Sequence, residues 1–130
     1  MSVPANSGQQ AIRVLLAIPH ARTRAAIKSA LEARGDVVVA AEAASPLNVV
    51  AVACAALVQV VLIDLAFLPA GTSPTLAELV QALGGVHVVT LGLREAVPFA
   101  RASLRAGAVA HLATDASPEE YRQVIRRAAA

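Results

Sequence analysis

Aromatic residues are scarce in this sequence of 130 residues, which has no tryptophan, one tyrosine and two phenylalanines. Proteins that stack on nucleic-acid bases need several such rings, so base stacking is not expected here. The 11 basic residues exceed the 9 acidic ones by only two, although ten of the basic residues are arginines. This small excess does not indicate a nucleic-acid surface. We therefore expect no direct contact with nucleic acid.

Cysteine is represented by Cys54 alone, which excludes a disulfide within the chain and fits a reducing compartment, so a cytoplasmic location is expected. Because Cys54 lies in an apolar run, we predict that it is buried. Residues 1–10 are polar and lack the positively charged start of a secretory signal. We predict a flexible N-terminal tail over residues 1–11 and one folded domain over residues 12–130.

Residues 49–68 form the one apolar stretch that is long enough to cross a bilayer. Gln59 and Asp64 interrupt it, and a carboxylate within a span costs several kcal/mol. We therefore predict no membrane span, but a helix that runs into a buried strand.

Short apolar runs rich in β-branched residues recur along the chain at intervals of about two dozen residues. The runs are Ile12–Ala17 and residues 37–41, 60–65, 86–91 and 109–112. They are almost continuously apolar rather than alternating, which is typical of strands that are covered on both faces in a parallel sheet.

The segments between these runs carry the signals of helix starts and ends. A serine that can cap a helix precedes a proline at the first helical position in three places: Ser45-Pro46, Ser73-Pro74 and Ser117-Pro118. Glu120 completes a capping box with Ser117. Glycines suited to helix ends follow at Gly35, Gly84 and Gly107. The order predicts five βα units in an α/β domain with right-handed crossovers.

Ligands of open α/β sheets bind at the carboxyl ends of the strands. In this chain those ends carry Ile18, Pro19 and His20, then residues 64–69, 91–95 and 111–115. No glycine-rich loop follows the first strand, so a nucleotide-binding enzyme is not supported.

Three stretches resemble the receiver domain of bacterial response regulators: "IRVLLAIPHARTR", "VVLIDLAFLP" and "LRAGAVAHLATDASPEEYRQVIRRA". The resemblance covers nearly the whole chain after the tail, and the third stretch is the most specific. It implies a flavodoxin-like (βα)5 fold, a doubly wound parallel sheet with strand order 2-1-3-4-5.

The resemblance also implies a phosphoacceptor position at Asp64, which closes "VVLID". Phosphoryl transfer in that family needs Mg²⁺, acids that hold it, a lysine and a hydroxyl. The acidic pair is replaced here by Ile18 and Pro19, the hydroxyl position by Gly92 and the lysine position by Thr114. Since the chain has only three aspartates, Asp64 is the lone acid expected at the site, and we predict no metal and no cofactor.

Other side chains near these positions have plainer interpretations. His20 fits a surface or helix-start role, whereas His87 and His111 fit structural roles within strands. Thr90 and Thr114 are alternatives for the missing hydroxyl, but threonine is common in strands.

Arginines along the fourth and fifth predicted helices suggest a basic solvent face: Arg94, Arg101, Arg105, Arg122 and Arg126. Such a face is either solvated or an interaction surface. The resemblance implies contact through the fourth helix, fifth strand and fifth helix, with a protein partner or in a homodimer.

Together these features predict a pseudo-receiver that is not an enzyme, a phosphorylation-independent signalling and protein-interaction module. The alternative is a working receiver of a two-component phosphorelay, phosphorylated on Asp64 by a histidine kinase with Mg²⁺. No helix-turn-helix follows, so transcription regulation would act through an output outside these residues. An apolar ligand in the vacated pocket is a variant of the first hypothesis.

Overall fold

The computed structural model describes residues 11–69, 71, 73–93 and 97–130. Its strands are β1 (Ile12–Ala17), β2 (Val37–Glu42), β3 (Val60–Asp64), β4 (His87–Gly92) and β5 (Ala110–Ala113). Its helices are α1 (Ala21–Glu32), α2 (Val49–Ala56), α3 (Leu76–Leu83), α4 (Val97–Arg105) and α5 (Pro118–Ala129). Short 3₁₀ helices span Pro46–Asn48 and Leu65–Phe67. The predicted tail lies outside the described residues, apart from Ala11.

The five strands form one parallel sheet in the order β2-β1-β3-β4-β5. This is the predicted flavodoxin-like topology, and every predicted strand is found within two residues of its expected bounds. The agreement arises because a parallel strand that is buried on both faces shows in the sequence as a continuous apolar run.

The core lies on both faces of the sheet, because successive side chains of each strand point to opposite faces. On one face, Val14, Leu16 and Ile18 belong to the core that includes α1 and α5. On the other face, Leu15 and Ala17 belong to the core that includes α2 and α3. Both faces of β1 are therefore closed to water.

Helix α5 begins as predicted. The Ser117 hydroxyl accepts from the backbone N–H of Glu120 at 3.1 Å, and the Glu120 carboxylate accepts from the N–H of Ser117 at 3.2 Å. Ser45 likewise caps a helical turn at Pro46, although this turn is 3₁₀ and α2 begins at Val49.

The start predicted at Ser73-Pro74 is wrong by two residues. Helix α3 begins at Leu76, and Thr75 rather than Ser73 is its cap. The Thr75 hydroxyl accepts from the N–H of Glu78, whose carboxylate accepts from the N–H of Thr75 at 2.8 Å. Thr75 precedes Glu78 by the three residues that a capping box needs, and this spacing decides the start.

Helix α2 gives one further correction. Cys54 is exposed rather than buried, because it lies on the outer side of this helix. The helix ends at Leu57 in a left-handed conformation with φ of 54°, where the sequence carries no glycine. Within the described ranges, no helix has the length and apolarity that a membrane span requires.

Candidate functional site

The carboxyl edge of the sheet brings the predicted site positions into one row. Ile18 follows β1, Asp64 ends β3, Gly92 ends β4 and Thr114 follows β5. Asp64 pairs with Leu91 in the register of the sheet, and the backbone N–H of Thr114 donates to the carbonyl of Gly92 at 2.8 Å. Residues far apart in sequence thus become neighbours because parallel strands end at the same edge.

Asp64 is largely buried, with 9% of its surface exposed. Its Oδ1 accepts from the backbone N–H of Ala66 at 2.8 Å and caps the 3₁₀ turn Leu65–Phe67. Such a bond from an aspartate to the backbone two residues on is common in turns. The carboxylate therefore has a structural role at the end of β3.

Ile18 does not cover the mouth of the site. Its side chain is fully buried in the core on the side of α1 and α5, while Pro19 beside it is half-buried. The side chain of Ile18 therefore packs in the core rather than at the edge of the sheet. The reason is that side chains alternate along a strand, so Ile18 lies on the same face of the sheet as Val14 and Leu16.

Arg24 also lies at this edge of the sheet, although it was not predicted as a site residue. Its Nη1 donates to the carbonyl of Ile18 at 2.7 Å, and its Nε lies 2.5 Å from Oε1 of Glu42. Glu42 is the last residue of β2, so its carboxylate is an acid at the same edge that is already paired with a cation. The signal in the sequence was an arginine in the first turn of α1 together with an acid that closes a strand.

The donor set does not suit a divalent cation. Magnesium in proteins takes carboxylate and other oxygen ligands, and here Glu42 is paired with Arg24. Across the described part of the chain, no three His, Cys, Asp or Glu side chains form a group that could hold a metal ion. His20 is exposed at the start of α1, and the ring of His87 bonds the carbonyl of Ala128, so neither turns toward a shared site.

Gly92 and His111 fit each other closely. A Cβ atom on Gly92 would lie 3.1 Å from Cε1 and 3.4 Å from Nε2 of the imidazole. The Nδ1 atom of His111 is 2.7 Å from Oγ1 of Thr90, which is completely buried. The ring thus occupies the space that a side chain at position 92 would need, and Thr90 points to the ring.

The imidazole of His111 is also incompletely hydrogen-bonded. Its Nε2 atom is buried and has no partner among the described residues. Burial lowers the pKa of His111, because the charged ring loses its hydration. The neutral ring is therefore the favoured form in the folded protein.

Tyr121 holds the end of β5 and was not singled out from the sequence. It is 3% exposed, and its hydroxyl lies within hydrogen-bonding distance of the carbonyl oxygens of Ala113 (3.2 Å) and Thr114 (3.1 Å). Burial, aided by the negative charges of Asp115 and Asp64, raises the pKa of Tyr121 to about 12. Thr114 is thereby fixed through its backbone, and its side chain is exposed.

The predicted basic face is only partly present. Arg101 and Arg105 are exposed on α4, and Arg94 lies outside the described residues. Arg122 is 6% exposed, donates to the carbonyl of Ala30 at 3.0 Å and pairs with Glu119. The expectation that Arg122 faces solvent is therefore wrong, because helix packing turns it toward α1.

Arg126 also faces the molecule. Its Nη1 lies 3.2 Å from Oδ2 of Asp36, in the turn before β2, although the side chain keeps about half of its surface exposed (52%). Arg122 and Arg126 thus connect α5 to α1 and to the turn before β2. They do not join Arg101 and Arg105 in one continuous basic surface.

Large apolar side chains are exposed around α4. Phe99 is 64% exposed and Leu104 is 50% exposed, and Val109 before β5 is also exposed. Arg101 and Arg105 lie on the same helix. Apolar side chains beside arginines are typical of surfaces that bind proteins.

A cavity of about 700 Å³ opens beside Asp64. It lies between the 3₁₀ turn after β3, the start of α3, the end of β4 and α4. Most of its lining is apolar, including Leu68, Leu76 and Phe99. Among the described residues that line it, Asp64 alone has a charged side chain.

Comparison with solved structures defines the fold class. The chain superimposes on the signal receiver domain of NarL from Mycobacterium tuberculosis with a TM-score of 0.80 and 22% identity, over 92% of this chain and 97% of that one. The response regulator domain of CheB from Thermotoga maritima gives a TM-score of 0.76 and 21% identity, over 92% and 97%. The chain therefore has the fold of response-regulator receiver domains.

A further similar structure is ChrA, a response regulator in a haem-sensing two-component system. Its TM-score is 0.73 with 27% identity, and the match covers 91% of this chain but 56% of ChrA. No family model matches the sequence. The search of curated proteins likewise finds no match.

Proposed function

We propose that this chain is a receiver-type signalling module that works without phosphorylation of Asp64 and acts by binding a protein. Its folded unit corresponds to residues 12–130. It needs neither a metal nor another cofactor, and it is not an enzyme. The alternative is a phosphoacceptor that a histidine kinase phosphorylates on Asp64 with Mg²⁺.

The arrangement of Arg24 is the observation that carries this proposal. A guanidinium that bonds the carbonyl of Ile18 and pairs with Glu42 occupies the edge where metal-holding acids would be required. Without a bound cation, the negative charge that develops during phosphoryl transfer is not compensated at Asp64. Phosphorylation is therefore disfavoured on electrostatic grounds.

The interaction surface that we propose comprises α4, β5 and α5, with Phe99, Leu104 and Arg101 at its centre. Exposed apolar side chains next to arginines support this choice. The partner is a second protein or a second copy of this chain. Sedimentation over a range of concentrations separates the two, since only self-association makes the mass depend on concentration.

The deciding experiment is an amide NMR spectrum of the chain, recorded alone, with Mg²⁺, and with Mg²⁺ plus beryllofluoride as a mimic of phosphorylated aspartate. We expect no site-specific shifts on either addition. The matched control is Asp64→Asn, which keeps an oxygen that can accept from Ala66 and should leave the fold and partner binding unchanged.

Shifts that centre on Asp64, spread into α4 and α5 and vanish in Asp64→Asn would overturn the proposal. They would establish the phosphoacceptor alternative. Loss of partner binding in a folded Asp64→Asn variant would also contradict it.

A further inference from the structure

The cavity beside Asp64 combines an apolar lining with the carboxylate of Asp64, the one charged side chain among the described residues that line it. Its wall on α4 contains Phe99 and three small residues, Ala102, Ser103 and Ala106, and the small residues leave space between α4 and the start of α3. The Ser103 hydroxyl donates to the carbonyl of Phe99 at 2.8 Å, so its proton is already engaged. Asp64, at the end of β3, is therefore the polar group of the lining that an ionic ligand would contact.

A close backbone contact lies near the cavity, at Gly107. Gly107 follows α4 and approaches α3 so closely that a Cβ atom there would lie 2.7 Å from Cγ1 of Val80. The preceding residue, Ala106, lines the cavity, and so does Leu76 of α3. A concave site of this volume is within the range that binds small molecules.

We propose that this cavity binds a small, largely apolar amine whose ammonium group pairs with the carboxylate of Asp64. The inference goes beyond the proposed function and rests on it in one point, that Asp64 carries no phosphate. The feature of the occupant that the site selects is its positive charge.

The preference for a cation follows from desolvation. Asp64 is only 9% exposed, and an apolar ligand that fills the cavity removes more of the water that hydrates its carboxylate. The backbone N–H of Ala66 bonds Oδ1 of this carboxylate but carries no full charge. An ammonium group replaces the lost water with a charge-assisted hydrogen bond. A neutral ligand lacks this compensation, and an anionic ligand is repelled.

The test uses three probes that share one ring system: the cation of 1-naphthylmethylamine, the neutral 1-naphthalenemethanol and the anion 1-naphthaleneacetate. Each is titrated into the isotope-labelled chain without Mg²⁺, and amide shifts give its site and affinity. We expect shifts at Asp64, Leu76 and Phe99, and binding of the amine at least about tenfold tighter than that of the acetate, with the alcohol between them.

Two variants and one control examine the cause. Asp64→Asn should weaken the amine about tenfold and leave the alcohol within about twofold, because only the charged pair is lost. Ala102→Leu should weaken all three probes by filling the cavity. Ala25→Leu, the same change at an exposed position of α1, should alter none of them.

The proposal is wrong if the shifts lie elsewhere, if the acetate binds as tightly as the amine, or if Ala102→Leu binds like the unmodified chain. Should Ala102→Leu lose its dispersed spectrum, Ala102→Val applies the same test with a smaller side chain. The two proposals fail separately: a response to beryllofluoride overturns the proposed function, whereas the probes, measured without it, decide the cavity alone.

Discussion

Gly107 is a position where both the backbone conformation and the packing favour glycine. Its φ is 112°, a backbone conformation that residues other than glycine rarely adopt, and it lies against Val80 of α3. Gly92 has a different reason to lack a side chain, because the imidazole of His111 occupies the adjacent space. Both positions depend on a neighbour that is distant in sequence.

Replacing Gly107 by alanine should lower the free energy of unfolding by about 3 kcal/mol, through backbone strain and the contact with Val80. Urea denaturation measures this change. Gly85→Ala is the control, since no atom lies within 4 Å of the added Cβ, and its effect should stay within about 0.5 kcal/mol. Equal losses in the two variants would contradict the close contact at Gly107.

Helix α3 shows how an element chooses between two nearby starts. Both Ser73 and Thr75 carry hydroxyls that can cap a helix, but only Thr75 has an acid three residues later, at Glu78. The hydroxyl of Ser73 lies 3.3 Å from the Glu78 carboxylate and adds a weaker contact. The reciprocal pair of hydrogen bonds at Thr75 therefore sets the start of α3.

Thr75→Ala should lower the free energy of unfolding by about 1 kcal/mol, because it removes the cap of α3. Ser73→Ala should cost less than half of this amount. Thermal and urea denaturation of the two variants, side by side, measure the difference. A larger loss in Ser73→Ala would restore the start that the Ser-Pro pair predicts.

Helix α5 shows how packing determines which arginines face solvent. Arg122 and Arg126 reach α1 and the turn before β2, so they stabilise the contact of helices on one face of the sheet. Arg122 donates to a backbone carbonyl while nearly buried, which is worth more than a solvated ion pair. Other arginines, such as Arg101 and Arg105 of α4, carry the positive charge that faces solvent.

At the scale of the whole molecule, stability depends on pH through groups whose pKa changes on folding. Burial lowers the pKa of His111 from its ordinary value of 6.5. The unfolded chain therefore binds more protons at this residue just below pH 6.5, and stability falls as the pH falls through that window. Hydrogen bonds lower the pKa of Glu78 and Glu119, so stability falls again below about pH 4.5.

His111→Gln should flatten the loss of stability between pH 7 and pH 5, because glutamine does not titrate there. The slope below about pH 4.5 should stay the same, since it belongs to the carboxylates. Urea denaturation at a series of pH values measures both. An unchanged pH dependence in His111→Gln would contradict the assignment.

The sequence by itself determined the order of strands and helices, the parallel sheet and the position of Asp64 at a strand end. These features follow from local signals: continuous apolar runs, capping residues and the spacing between them. The scarcity of acids and the replacements at Ile18, Pro19, Gly92 and Thr114 were visible in the same way.

Only the tertiary structure decided where those side chains point and what they contact. Ile18 faces the core, Arg24 pairs with Glu42, and Arg122 turns inward. The cavity beside Asp64 likewise depends on the distance between two helices. The physical reason is that these contacts join residues brought together by sheet register and helix packing, which no local pattern in the chain records.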